Sequence, residues 1–499
     1  MRPAVDLRLV PPALVAWACA WAGAPAGAPT LRAAAACCLA LAGVLLAVHA
    51  GVVRRDRDPG RDRGLGLAAL TLAVACAVLA AGGAAASARA SGDLPELARD
   101  GASVEVLARV VADPEPVAAP WADEPQVRTL LRLVSIEHGG RTTAAGGLLD
   151  VSGGAEWAAA DVGATILVEG RLRPGRPGEE PVARLVPASA PRVVDPPGAL
   201  LRGVDDVRTS LLEVTDGLSP QARGLVPGAA VGDTTRVPDD VDAAMLATSL
   251  THITAVSGGH FAIVVASLAW CCALLRVPRA ARTLVTALAV VAFVALVRPD
   301  PSVLRAAGTG AVALVAACLG RPARAVPALA ACVVVLLVAD PWLARSYGFV
   351  LSVAATAGLV TLTTPISRRL APWCGRPAAF ALAVPVAAQV ACAPILVLLS
   401  PSVAVYAVPA NLVAAVALAP ATVLGVLAAL LAPWCPVLAL PVAWCAGLAT
   451  WWIATTARVF AALPGAAFPW LPGVPGVLLM AALTAVALGV LRRGWPVAP

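Results

Sequence analysis

The chain of 499 residues contains no lysine, and all 37 of its basic residues are arginine. This excludes the phosphate-binding GxxxxGK[ST] loop, because its lysine is the group that reaches the β- and γ-phosphates. Charge of either sign is scarce, at 13% of residues against about 25% in a soluble domain. Aromatics are 4% and histidines number four; no HxHxDH cluster occurs, and a dinuclear metal centre needs several His and Asp ligands. The rest is apolar: 59% of residues, with a mean hydropathy of +0.83. A soluble protein of this length cannot bury so large a fraction, and a disordered chain needs the opposite composition. The composition implies a polytopic membrane protein with one more polar insert.

The twelve cysteines do not change this picture. All lie in or beside apolar runs, none is in the polar insert, and no CxxC or Cys/His spacing suits a metal. Such cysteines behave as small hydrophobes in packing. Net charge is +7 but unevenly spread: residues 89–200 hold eleven Arg and sixteen acids, whereas from Ala243 onward fourteen Arg face only Asp300 and Asp340. The insert is acidic and the membrane core basic.

About 20 apolar residues cross a bilayer as a helix. Candidate spans are 10–24, 31–53, 64–88, 252–275, 283–297, 302–319, 325–339, 347–366, 378–399, 403–432, 434–460 and 473–491. The expectation is about 10–12 crossings, the first of them an uncleaved N-terminal segment. Arg54, Arg55, Arg57, Arg61 and Arg63 follow the second span, Arg276, Arg279 and Arg282 the fourth, Arg321 and Arg324 the sixth, Arg368, Arg369 and Arg376 the eighth, and Arg492 and Arg493 the last. With alternating spans these clusters share one side. The positive-inside rule makes that side the cytoplasm, places both termini there and puts residues 89–250 on the outer face.

The insert reads as strands at Ser103–Ala112, Val127–Glu137, Gly147–Ser152, Thr165–Leu172 and Ala183–Pro187, separated by Gly, Pro and Asp. Five short strands suit a small OB-like barrel, with another small β-sandwich as the alternative. Leu201–Asp216 is amphipathic, either lying at the membrane interface or packing on the insert. The domain boundaries are therefore 1–88 for N-terminal transmembrane helices and 89–197 for an extracytoplasmic OB-like domain. Residues 198–250 hold the amphipathic helix and a Gly/Pro-broken re-entrant segment, and 251–499 the main transmembrane domain.

Residues 224–262 carry the most information. A Gly- and Pro-broken segment, Val226–Asp233, precedes a short acid-rich helix, and then Thr251, His252, Ser257, Gly258, Gly259 and His260 interrupt an apolar span. Ionisable groups at membrane depth are costly and usually face a cavity or a partner. On one continuous helix His252 and His260 would lie about 80° apart and could line one passage; packing between helices is the plainer role.

These residues resemble the ComEC/Rec2 family of competence proteins, inner-membrane DNA channels of natural transformation. The family's "GD…TGL-H-LA-ISG-H" signature is similar to Gly232-Asp233, Thr248-Ser249-Leu250-Thr251-His252-Ile253 and Ala255-Val256-Ser257-Gly258-Gly259-His260, with Gly259 where Leu is usual. Pro301-Ser302-Val303-Leu304-Arg305-Ala306 resembles its PSVLRA segment. Asp340-Pro341 with Gly348-Phe349-Val350-Leu351-Ser352 resembles its "DP…GFQLSF" stretch, with Val350 and Val353 replacing the usual Gln and Phe. Ala388-Gln389, Pro394 and Pro409-Ala410-Asn411-Leu412 resemble its "AQ…P…NL" run. The N-terminal spans and β insert fit the family's N-terminal region without a motif.

The resemblance implies a multi-pass, non-enzymatic channel in the plasma membrane that passes single-stranded DNA. Asp233, His252, Ser257, His260, Arg305, Gln389 and Asn411 would line or brace the path, and Gly232, Gly258, Gly259, Asp340 and Pro341 would shape it. Helix–helix contacts are the alternative for Arg305, Gln389 and Asn411, and helix capping for Asp340-Pro341. No cofactor or metal is expected. Many family members add a metallo-β-lactamase-like nuclease; with no HxHxDH cluster, none is expected in this polypeptide. The expected partners are a DNA receptor, a separate nuclease and a cytoplasmic motor, with further copies of the chain as a candidate assembly. The insert, net acidic with only Trp121 and Trp157 as aromatics, lacks the basic groove with stacking rings that holds single strands in OB-folds.

Two other readings stand beside the channel. One is a transporter of a small anionic or lipid-like solute, with a midplane site at the broken segments 226–233 and 403–432. The other is an intramembrane enzyme using Ser257 and His260, which lacks a visible orienting acid and oxyanion site.

Overall fold

The computed structural model describes residues 6–55, 59–90, 92–117, 126–254, 256–298, 308 and 325–493. They form two compact units, Met1–Gly203 with Ala330–Arg345, and Val204–Leu329 with Ser346–Pro499. Among the described residues seven helices are long and apolar enough to cross a membrane, and Val10–Gly23, Ala325–Ala339 and Gly473–Gly489 are shorter apolar helices. The chain is a polytopic helical membrane protein. The span expected at 302–319 lies outside the described residues, residue 308 apart.

In the first unit, helices Val10–Gly23, Ala28–Arg55 and Pro59–Ala90 precede a short helix, Leu94–Asp100. Leu31, Ala35 and Leu79 form a small core with Cys19, Cys38 and Cys76 at its edge. These cysteines are free and pack as hydrophobes.

The β insert follows. Strands β1 (Ser103–Val110), β2 (Glu115–Val117), β3 (Gln126–His138), β4 (Arg141–Ala144), β5 (Leu148–Gly153), β6 (Thr165–Pro174), β7 (Ala183–Pro187) and β8 (Arg192–Asp195) form one sheet. Neighbours run β1-β3-β5-β7-β6, and β6 pairs back to β1, so five strands close a barrel. All pairs are antiparallel except β5–β7. This is the OB-like barrel expected from the strand pattern.

Alternation explains which faces turn inward. Val104, Val106, Ala108 and Val110 of β1 are buried between exposed or half-buried partners. In β3 the buried set passes from Val127, Thr129, Leu131 and Leu133 to Ile136, because the register with β1 slips between Leu107 and Ala108. One extra residue at this bulge returns the strand to phase with the core. A one-turn helix, Ala155–Ala159, joins β5 to β6 and buries Trp157 in the barrel core.

The turn Pro341–Arg345 also belongs to this unit. Asp340 Oδ1 accepts the Trp342 backbone N–H at 3.0 Å and so caps the turn. Trp17 Nε1 donates to the Ala344 carbonyl at 3.1 Å, Arg345 stacks on Trp21, and Arg89 on Trp342. Burial holds the carboxyl groups of Glu180 and Asp340 above the usual range. The Asp340 charge adds to the rise of Glu180 while Arg132 and Arg89 oppose it, and amide bonds from Trp342 and Leu343 oppose that of Asp340.

Carboxyls with raised native values bind more protons folded than unfolded. Their stabilisation is therefore largest in acid and is lost as pH rises through the native values. Glu180→Gln cannot ionise, so it is expected to raise the thermal midpoint of the detergent-solubilised chain near pH 7.5 by on the order of 2 °C. The gain should vanish near pH 4, about the unperturbed glutamate value. Equal shifts at both pH values would show that charge is not the cause.

The second unit is a helical bundle. Tyr347–Leu399 runs for 53 residues. As one rod it would be about 80 Å long, well beyond a bilayer core of about 30 Å. It breaks at Gly375, whose φ of 78° and ψ of 161° are not helical. The arms fold back on each other, with Ile366 packed against Ala383 and Ala387, giving the two spans expected at 347–366 and 378–399. Helices Ala407–Leu431 and Pro436–Ala461 meet along small residues. Ala410, Ala414, Ala417, Ala421, Ala443, Ala454 and Ala457 are all buried, which lets the helix backbones approach closely.

Candidate functional site

The polar segment 220–260 lies in the second unit. Helix Pro220–Val231 is continuous through Pro227, so the break expected over 226–233 falls only at its end. Ala222 and every residue from Gly224 to Val231 are buried. The helix needs its glycines: a side chain at Gly228 would stand 2.1 Å from the Thr254 carbonyl oxygen, and one at Gly224 would stand 2.5 Å from that of Arg236. It ends at Gly232, whose φ of 79° is the left-handed C-cap that glycine takes without strain.

Asp233 then organises a turn. Its Oδ1 accepts the Thr235 N–H at 3.0 Å and the Thr235 hydroxyl at 2.6 Å. Helix Asp239–Ala247 follows with Asp239, Asp240 and Asp242 in its first turn, where the helix dipole favours anions. Asp240 also pairs with Arg458 of Pro436–Ala461 at 2.8 Å.

The chain next forms a single turn, Thr251–Ile253, and the following helix starts only at Gly258. His252 and His260 therefore do not share a helix, and the 80° relation expected between them does not hold. The extended backbone at Ser257, just before Gly258, breaks the helix that the apolar pattern implied. His252 is exposed, and its Nδ1 lies 3.2 Å from the Ser249 carbonyl. His260 is fully buried.

Ser257 and His260 do meet, in a reciprocal cap. The Ser257 side chain accepts the His260 backbone N–H, and His260 Nδ1 accepts the Ser257 backbone N–H at 3.1 Å, with Ser257 Oγ at 3.0 Å. Because Nδ1 accepts an amide proton, a neutral ring carries its own proton on Nε2. That atom is buried without a hydrogen-bond partner among the described residues. The pair is thus a capping box, with the imidazole tied to the helix start.

The remaining candidates are dispersed. Gln389 is half-buried on the second arm of Tyr347–Leu399. Asn411 sits in the first turns of Ala407–Leu431 and donates from Nδ2 to the carbonyl of Ala407 at 2.8 Å, within its own helix. Asp340 and Pro341 belong to the other unit, and Arg305 lies outside the described residues. No group of three or more His, Cys, Asp or Glu among the described residues is placed to hold a metal ion.

The structure adds residues that the motif pattern did not mark. Arg208, 8% exposed on helix Ala199–Thr215, donates from Nη1 to the carbonyls of Val231 at 2.5 Å and Leu296 at 3.2 Å. Its Nη2 lies 3.8 Å from Asp233 Oδ2. One turn earlier, Asp205 pairs with Arg298. Arg236 bonds the Leu212 carbonyl at 3.0 Å and Asp216 at 2.7 Å. Burial lowers the Arg208 guanidinium from its ordinary value, opposed by Asp233 and Asp205, and lowers that of Arg298 to about 10. The sequence does carry a signal for Arg208. It interrupts the stripe Val204, Leu211 and Thr215, whose spacing places all four on one helix face.

No solved structure matches the chain. Against curated proteins, it is 30% identical to the ComE operon protein 3 of Bacillus subtilis (strain 168) over 155 residues, 31% of this chain and 20% of that protein. The aligned region thus spans about a fifth of the relative's length. The profile of the family described as Competence protein matches residues 230–496, just over half of the sequence. That match contains the polar segment from Gly232 to His260 and the helices that follow it, so the chain belongs to the competence protein family, of the ComEC/Rec2 type that its motifs resemble.

Proposed function

We propose that this protein passes single-stranded DNA across the cytoplasmic membrane during transformation, without itself cutting it. The observation that carries this reading is the segment Gly232–His260. It holds Asp233, His252, Ser257 and His260 and lies inside residues 230–496, the part of the chain that matches the family. The near absence of acids beyond Ala243 suits passage of a polyanion. Gln389, Asn411 and Arg305 complete the polar lining in this reading. The arginine clusters put both termini in the cytoplasm and the barrel outside, where a DNA receptor and a separate nuclease would deliver the strand. A cytoplasmic motor supplies the pull.

The test is uptake of labelled DNA into the cytoplasm of the native host. Deleting the gene is expected to abolish it. His260→Ala is expected to lower it by about tenfold, the equivalent of losing a helix cap worth about 1–2 kcal/mol, with the chain still present in the membrane. Normal transformation in the deletion strain would overturn the proposal. Loss of transport of a small anionic solute in that strain, with DNA uptake intact, would favour a solute carrier instead.

A further inference from the structure

Helix Pro220–Val231 has 12 residues, about 18 Å, and so reaches only part-way through a bilayer core of about 30 Å. Two other helices cover it. A side chain at Gly425 would touch Ala230, and one at Gly447 would touch Ala222. Its C-terminal residues Ala230 and Val231 are fully buried, and the last carbonyls of any helix lack partners within it. Helix Arg279–Val297 ends close by, with Leu296 and Val297 in the same apolar cluster as Ala230, Val231 and Leu211.

Helix Ala199–Thr215 holds both ends together. Arg208 supplies N–H groups to the Val231 and Leu296 carbonyls at once and faces Asp233, just past the first helix end. Asp205, three residues earlier, takes Arg298, the residue just past the second. One helix face thus presents an anion and a cation to a cation and an anion, each placed beyond a helix terminus. Arg298 is held at a φ of 66°, which an arginine adopts at a cost. Buried ion pairs add little net stability compared with apolar packing, and their best-attested use is to select one arrangement over another.

We propose that Arg208 and Asp205 are positioning residues of a latch that keeps helix Pro220–Val231 seated as the stop of the passage, and that the passage opens when the latch releases. This rests on the channel reading above. Gly232 is the pivot: helix Pro220–Val231 precedes it as a rigid piece, and the Asp233 turn follows. The latch lies off the helix, on a separate element that can withdraw without unfolding it.

The test uses the full chain reconstituted into DNA-free vesicles loaded with potassium, together with uptake in the native host. Arg208→Ala and Asp205→Asn are each expected to raise potassium efflux by about tenfold or more, the change in the open-to-closed ratio expected from removing one charge-assisted bond. Exchanging the pair, Asp205→Arg with Arg298→Asp, is expected to restore a tight membrane, which a merely structural contribution would not require. If Arg208→Ala does not accumulate, Asp205→Asn and the exchanged pair decide. Variants that insert at the parental level, leak no more than the parent and still support DNA uptake would overturn the latch while leaving the channel intact. Undiminished uptake without the chain would overturn both.

Discussion

Gly228→Val is expected to abolish DNA uptake and to cost more than about 4 kcal/mol of stability, the range reserved for changes that a core cannot absorb. The reason is a backbone contact. A Cβ at this position would lie 2.1 Å from the Thr254 carbonyl oxygen, and that carbonyl belongs to the linker leading into the Ser257–His260 cap. Helix Pro220–Val231 would have to move away from the linker or the linker would have to turn. The apolar cluster around Ala230, Val231, Phe261 and Phe293 resists both movements.

Gly259 is the internal control. Among the described residues a Cβ there meets only Ser257 Oγ, at 3.6 Å. Gly259→Ala should therefore change stability by no more than about 0.5 kcal/mol and leave uptake near the parental level. Transformation frequency, read beside an immunoblot of the membrane fraction, checks the pair. Equal tolerance at both positions would show that the close approach of Gly228 is not required.

The second large effect concerns the barrel. Trp157→Ala is expected to cost about 3–5 kcal/mol, the usual range for removing a buried tryptophan. Its ring is fully buried among Leu149, Val151, Ile166 and other core residues. Its Nε1–H is buried without a hydrogen-bond partner among the described residues. An unmade bond of this kind costs about 1–3 kcal/mol, so Trp157→Phe, which keeps an aromatic ring and removes the donor, should come out near neutral. Cleavage of the full chain in detergent by an arginine-specific protease reads both variants, because Arg128, Arg171 and Arg184 all lie on barrel strands. Rapid cutting of the Ala variant and parental resistance of the Phe variant are the expected results. Resistance of the Ala variant would show that the ring is dispensable to the core.

Much of this architecture was legible before the structure. The five barrel strands were visible because Val and Leu alternate with polar residues between Gly, Pro and Asp turns. The three further strands were not visible. Glu115–Val117, Arg141–Ala144 and Arg192–Asp195 have three or four mostly exposed residues each and no buried face to create alternation. The spans were visible by their length. The break between His252 and the helix at Gly258 was obscured by apolar neighbours that would suit either backbone.

The motif residues divide in the same way. Sequence spacing placed Ser257 within reach of His260, because three residues along a helix is a local distance. It could not show that Arg208 meets Val231 and Leu296, since those contacts join helices 23 and 88 residues apart. Nor could it assign Asp340 and Pro341 to the unit that contains the barrel, because that pairing depends on how the chain returns after Ala330.

The order of strands in the barrel bears on the timing of biosynthesis. Its closing pair, β1 with β6, joins segments whose outer limits are Ser103 and Pro174, and the last strand ends at Asp195. Every pairing that closes it is thus available before the long helices of the second unit have been made. At roughly 5–20 residues per second, the later chain to residue 493 takes roughly 15–60 s to emerge. That interval is long compared with strand pairing in a small barrel, which takes roughly milliseconds to seconds. A ribosome paused once Asp195 has cleared its exit tunnel should already carry a protease-resistant barrel on the nascent chain, with the helices that complete the bundle still to come.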